Sequence, residues 1–585
     1  MTRLAWPLAA LLLAAGLVAA ATPWRIPRAA VAEALDAGLV GVRATLGGPA
    51  TFKLLPRPRV QATQLAVVAE NGALTLDAPV IKAELDIPSL FRGRWRLTSA
   101  TLVEPTATVD LDRLPRPAAA PGAPGPALQL RLRSGVLRTR SADPAGDLLV
   151  TGIEASAAWP GDRDGLVISG TATARGTTAR FAGDLQHPAR WLTPEGSIVT
   201  LQVESPLFGF AADGILSGGT QTQFAGHAAL TTTSLPRLLR TFDGIPLAVN
   251  AVRAQISGDV LAKPRDVSVS NALVKLDGAR FEGTLAWRRD AGRSLVAGTL
   301  ATDLLDIDRL FGAGVDRAAV ADLYRRPLTA SPFGTDIDMR VSATTARYGR
   351  VAVEDAAVAA LVRGDRLELT LDEARAYGGT VKGRLLATLS PEGVEAHADL
   401  NARRLDLGGV SEALSGRERV GGALSGRAVL DGSGESLKAV VGALAGSGQV
   451  EIEAGRLAGL SLGQALKRLG RRLPLDGDRG ATPTTFDRAV WELSVRDGVV
   501  RIPDGRLTAP GVAMAFGAET ALPDGHIAVH AVAAQTDRRG QPLPEGQSMP
   551  FDMRGSWAGP LVLVGHGGSL PALTLPMFDG LSAER

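Results

Sequence analysis

Leu367-Glu368-Leu369-Thr370-Leu371 alternates apolar and polar side chains without a break. A period of two puts Leu367, Leu369 and Leu371 on one face of a strand and Glu368 and Thr370 on the other. Antiparallel sheets with one face on a core and one face in water show this pattern. The flanking sequence repeats the design. Arg363-Gly364-Asp365 reads as a turn between Val358–Val362 and Leu367–Leu371. Ala374–Leu389 reads as a strand, a glycine turn and a strand back, around Gly379 and Gly383. Ala272–Trp287 around Gly278 and Gly283, and Leu507–Leu522 around Gly511 and Gly517, read alike. The spacing drifts, so these are degenerate hairpins and not a strict solenoid period.

A second unit recurs. In Leu230–Phe242, Ala301–Phe311 and Asn401–Leu414 an alternating strand feeds a short leucine-bearing turn of helix. Those leucines are placed to plug the end of a sheet. Toward the amino terminus, Ile26–Leu46 has Val31, Leu35, Leu39 and Val42 at helical spacing and stops at Gly47-Gly48-Pro49. Strands are expected from Val60 to Leu111. Pro115–Pro126 (PRPAAAPGAPGP) has no large apolar side chain and reads as an extended linker.

Composition supports a body of hairpins. Glycine is 68 of 585 residues, against a usual share of about 7%. Hydrophobic residues make up 45% and aromatics 4%, so the chain is apolar enough to fold and has few stacking platforms. The absence of cysteine excludes disulfides, a thiol nucleophile and cysteine-based zinc sites. A net charge of +3 from 63 basic and 60 acidic residues is no footprint for nucleic acid.

Met1–Ala21 is almost uncharged, with Arg3 its one charged side chain. Two readings are open. Ala19-Ala20-Ala21 fits the end of a cleaved signal peptide. Trp6 and Trp24 stand eighteen residues apart, roughly 27 Å in a helix, as interfacial aromatics of a retained anchor do. The expectation is an anchor over 1–24 that includes Trp6, Leu11, Leu12, Leu13, Leu17 and Trp24.

Catalytic constellations are sparse. His526 and His530 share strand parity but lack a third ligand. Asp110/Asp112, Asp306/Asp308 and Asp336/Asp338 pair carboxylates on one strand face, too few for a calcium or magnesium site. Gly459-Leu460-Ser461-Leu462-Gly463 spells GxSxG, yet no oxyanion loop precedes it. No catalytic, cofactor or metal residue is assigned.

Two longer stretches are more specific. From Gly41 to Arg113 come Phe52-Lys53-Leu54-Leu55-Pro56-Arg57-Pro58, Leu90-Phe91-Arg92-Gly93 and Glu104-Pro105. From Gly446 to Val532 come Gly446-Ser447-Gly448, Ala454-Gly455-Arg456-Leu457-Ala458-Gly459 and Thr485-Phe486-Asp487. These resemble the amino- and carboxy-terminal regions of the AsmA family. Ala454 stands where that family usually has a turn acid.

The fold class expected is mainly β. It is an elongated, curved antiparallel sheet of repeated hairpins forming a groove, with short helices and an amino-terminal membrane helix. The segments are 1–24 anchor, 25–114 helix and strands, 115–126 linker, 127–440 repetitive middle and 441–585 carboxy-terminal region. The resemblance implies a non-enzymatic protein of the bacterial inner membrane with its bulk in the periplasm. It would carry phospholipid between inner and outer membrane along an apolar groove, with Leu367, Leu369 and Leu371 as candidate lining. The alternative is a scaffold for outer-membrane protein assembly and targeting. The partners expected are membrane lipids and outer-membrane assembly proteins, with no nucleic acid and no cofactor.

Overall fold

The computed structural model describes most of the chain from Thr22 to Thr574. Outside the described residues lie 1–21, 32–41, 111–127, 242–251, 312–334, 459–482, 575–585 and shorter breaks. The chain divides into two compact units, Met1–Pro246 with Val252–Val274, and Leu247–Ala251 with Lys275–Arg585.

In the first unit, strand Trp24–Ile26 pairs with Ala50–Lys53, which pairs with Arg59–Ala69 and so with Leu74–Leu85. At the turn into Leu74–Leu85, Asn71 Oδ1 accepts from Ala73 N at 3.0 Å and Gly72 takes φ +70°. Asn-Gly supplies both features at little cost. Leu97–Val103 and Thr106–Asp110 each pair antiparallel with Leu74–Leu85 and parallel with Leu128–Arg140. Successive antiparallel strands then run from Leu149–Trp159 to Ala254–Lys263. The core of this unit gathers Val31, Val60, Leu65, Ile81, Leu85 and Leu102. Each such aliphatic side chain, when fully buried, stabilises by about 1.5–3 kcal/mol.

In the second unit, Ala279–Asp290 pairs antiparallel with Arg293–Asp306. Arg293–Asp306 lies parallel to Thr335–Tyr348. From Val351–Arg363 onward antiparallel neighbours follow in chain order to Gly559–Val564. Register shifts interrupt several pairings, between Ala402 and Leu405 and between Gly421 and Ala423 among others. Arg404 and Ala454 take left-handed φ of +51° and +47° at these shifts. Bulges of this kind bend a strand and raise its twist.

The strand-to-helix units form as their sequences imply. Leu235–Thr241, Ile307–Phe311 and Leu407–Ser415 are helices at the ends of Gln223–Thr232, Arg293–Asp306 and Gly393–Asp406. Asp406 caps the third helix, accepting from Gly408 N at 3.0 Å and Gly409 N at 3.4 Å, and Gly416 closes it at φ +74°.

Three expectations need correction. The sheet is mixed, because Leu128–Arg140 and Thr335–Tyr348 each take parallel neighbours. Alternation fixes which face a side chain takes and leaves strand direction open. The helix expected over Ile26–Leu46 begins and ends as strand, at Trp24–Ile26 and Val42–Leu46, with Val31 helical and buried between them.

The third correction concerns the membrane helix. No helix among the described residues is long and apolar enough to cross a membrane. Trp24, expected as one of the two interfacial aromatics, lies in a strand paired to Phe52. Trp6, Leu11, Leu12, Leu13 and Leu17 fall outside the described residues. The single-anchor inner-membrane topology, and the anchored conduit between two membranes built on it, lose their structural support. The 115–126 linker also falls outside the described residues.

Candidate functional site

Direct cross-strand partners point to the same face of a sheet, so the register traces rows of side chains across many strands. In the second unit one row begins at Gly283 and passes through Leu300, Val341, Val358 and Leu371. It continues through Gly383, Leu400, Ala428 and Gly448 to Leu493. No polar side chain enters it. The neighbouring row carries Met339, Ala360, Leu369, Leu385, Ala398 and Leu430. Leu367, Leu369 and Leu371 therefore share this apolar face, each half-buried. Val358 is 38% exposed and Leu400 47% exposed along the same row.

The first unit has a row of the same kind. It runs from Trp24 through Phe52, Val60, Ala83, Ala100 and Leu130. It goes on through Ala157, Ile168, Gly183, Leu201, Ala212 and Ala228 to Gly258.

Both strand ends of the second unit's apolar face are packed. At one end Val440, from helix Leu437–Gly442, is buried against Ala387 and Val394, with Leu367, Leu389 and Ala396 beside it. Gly432 and Gly434 make room, since a Cβ on either meets this helix within about 3 Å. At the other end Leu407 packs on a core of Ile452, Phe486, Ala489 and Leu507. The face between is aliphatic and only partly covered.

The opposite face is polar and ion-paired. Arg384 Nε donates to Glu368 at 2.9 Å and Arg501 Nε to Glu519 at 3.2 Å. Arg488 and Glu451 also pair, and Glu451 holds the Arg488 guanidinium pKa above its ordinary value. On the polar faces of the two units, His227 meets Asp259, His397 meets Asp431 and His530 meets Asp552 on an adjoining strand, and His187 meets Asp164 just beyond two strand ends. These are exposed pairs, screened by water, that add little to stability.

The carboxylate pairs read from sequence have structural duties. Asp306 accepts from Arg309 N at 3.0 Å and pairs with Arg347 at 2.6 Å, and the Arg347 contact lowers its pKa. Asp336 accepts from Gly364 N at 3.1 Å and from Arg293 Nη2 at 2.5 Å, and both contacts lower its pKa. The Arg363-Gly364-Asp365 turn is thereby tied to strand Thr335–Tyr348. Asp112 and Ser461 lie outside the described residues. No group of three or more metal-ligating side chains occurs among the described residues. A cleft of about 770 Å³ sits beside helix Ile307–Phe311. Two of its acids, Asp306 and Asp355, are held by Arg347 and Arg375.

The motif pair Ala454-Gly455 and Thr485-Phe486 is one packing unit. Gly455 and Phe486 are direct partners, and a Cβ on Gly455 would fall 2.0 Å from Phe486 Cζ. Sequence reading found both motifs without seeing that one covers the other. Gly505 and Phe516 repeat the arrangement two strands on.

No curated protein matches the chain. Residues 299–505 match the AsmA family. The match takes in the hairpins around Leu367–Leu371 and the Gly446–Asp487 motifs, and it does not reach the stretch from Gly41 to Arg113. Over that segment, about a third of its length, the chain is similar to the AsmA family.

Proposed function

We propose that this protein is a membrane-associated binding body that takes up acyl chains of membrane lipids along its apolar rows. The match of residues 299–505 to the AsmA family supports a periplasmic or membrane-associated role of a scaffold kind. The observation that carries the lipid reading is the row from Gly283 to Leu493, which crosses strand after strand with no polar side chain. A row needed only for folding would be covered. Here Val358 and Leu400 stay substantially exposed while both strand ends are packed.

An acyl chain laid on this face is held by area alone. Each buried methylene contributes about 0.8 kcal/mol, and the interaction has no directional demand. Head groups stay in water beside the ion-paired face or the strand ends. No single residue is decisive, which fits a row built from leucine, valine, alanine and glycine.

The test is binding of a fluorescent phospholipid to delipidated protein. The wild type gives saturable binding. The triple variant Val358→Glu, Leu369→Glu, Leu400→Glu places carboxylates across one patch of the apolar face and abolishes it, while Leu369→Glu alone keeps most of it. Undiminished binding by a folded triple variant overturns the reading.

A further inference from the structure

On the polar back of the first unit, one row of direct partners begins at Lys53 and Arg59, passes Glu84, and carries Asp184, Asp213, His227 and Asp259 toward its far end. Arg25 stands in the adjacent row, paired with Thr51, and Arg57 lies in the turn between Lys53 and Arg59. Arg25, Arg57 and Arg59 are exposed. Two acids at this rim are already engaged. Glu84 lies 3.8 Å from Arg57 Nη1, and Asp86 accepts from Ser89 N at 3.0 Å.

Large apolar side chains are exposed on the same rim. Trp24 is 58% exposed, Ile87 48% and Leu54 39%. Their proximity follows from the pairing. Trp24 faces Phe52, Leu54 follows Lys53 into the turn, and Leu85 N bonds Pro58 O at 2.9 Å, bringing Ile87 beside that turn. Cations next to exposed aromatic and aliphatic side chains match a bilayer interface, with phosphates outside and hydrocarbon within.

We propose that this rim docks on the surface of an anionic bilayer. Arg25, Lys53, Arg57 and Arg59 meet lipid phosphates, and Trp24, Leu54 and Ile87 enter the interface. The acidic far end of the row is repelled by the same surface, so docking also orients the unit. This contact is peripheral and needs no occupied apolar row, so vesicle binding and lipid uptake can fail separately.

The experiment is vesicle flotation of the full chain with phosphatidylcholine vesicles, with and without phosphatidylglycerol. The wild type prefers the anionic vesicles, and added salt weakens that preference. Arg57→Gln with Arg59→Gln weakens binding to anionic vesicles about 30-fold at low salt, two surface cations being removed. Trp24→Ser with Leu54→Ser weakens it further. Arg384→Gln with Arg427→Gln in the second unit leaves it unchanged, and far-UV circular dichroism confirms that every variant is folded. Wild-type-like binding by the Arg57/Arg59 variant overturns the proposal. So does binding that ignores lipid charge and salt, or a rim that proves to bind a protein while its variants float normally.

Discussion

Phe486 lies across Gly455 so closely that no side chain fits between them, a Cβ at Gly455 falling 2.0 Å from the Phe486 ring. Phe486 is 3% exposed and belongs to the core beneath helix Leu407–Ser415. Gly455→Ala therefore forces the ring or the backbone to move and costs about 1–3 kcal/mol, the usual range for overpacking. Urea unfolding measures this. Gly442 is the control, since a Cβ there meets nothing within 4 Å. Gly442→Ala, inside helix Leu437–Gly442, is neutral or stabilises by up to about 1 kcal/mol.

Asp336 predicts an acid-labile second unit. Its carboxylate is bonded to Gly364 N and Arg293, which lower its pKa below the ordinary value of 3.8. A lowered folded pKa means stability that is present above the unfolded pKa and is lost as pH falls through the folded one. The contribution is thus full at neutral pH and fades only below the ordinary carboxylate range. Asp336→Asn lowers stability at neutral pH by about 1 kcal/mol, and the difference from wild type shrinks as the medium is acidified. Denaturation midpoints measured across that range check both the sign and the window.

The Asp406 cap offers a local test. Asp406→Ala removes the acceptor for two orphan N–H groups of helix Leu407–Ser415 and costs about 1 kcal/mol. Because Leu407 packs on the core around Phe486, the loss shows as faster amide exchange in that helix and in strand Thr484–Arg496.

Ion pairs on the polar face behave differently. Arg384→Gln breaks its contact with Glu368, which is solvent-exposed and screened, so stability changes by less than about 1 kcal/mol. Lipid content stays at the wild-type level, because Arg384 lies on the face opposite Leu369 and Leu385.

Much of this was legible in the sequence, for reasons visible at particular residues. Leu367–Leu371 announces its faces by period two, and the register keeps them. The leucines of Asn401–Leu414 announce a helix at a strand end, and the structure adds its Asp406 cap. Other features leave no local trace. Arg293–Asp306 and Thr335–Tyr348 lie parallel, and nothing in their alternation encodes direction. Phe486 and Gly455 are far apart in sequence and meet only through strand pairing. The left-handed Ala454 breaks the usual glycine preference at that geometry, so the bulge it forms has no residue-type signal. Trp24 reads as an interfacial aromatic by spacing from Trp6, yet its strand pairing with Phe52 decides its place.

The most direct test of the central claim is the amount of phospholipid that co-purifies with the protein, counted per chain by mass spectrometry. The wild type, Leu369→Glu and Arg384→Gln should carry similar amounts, while the folded triple variant Val358→Glu, Leu369→Glu, Leu400→Glu carries almost none. Equal lipid on the wild type and the triple variant would contradict the account, because the apolar row would then be core and not a binding face.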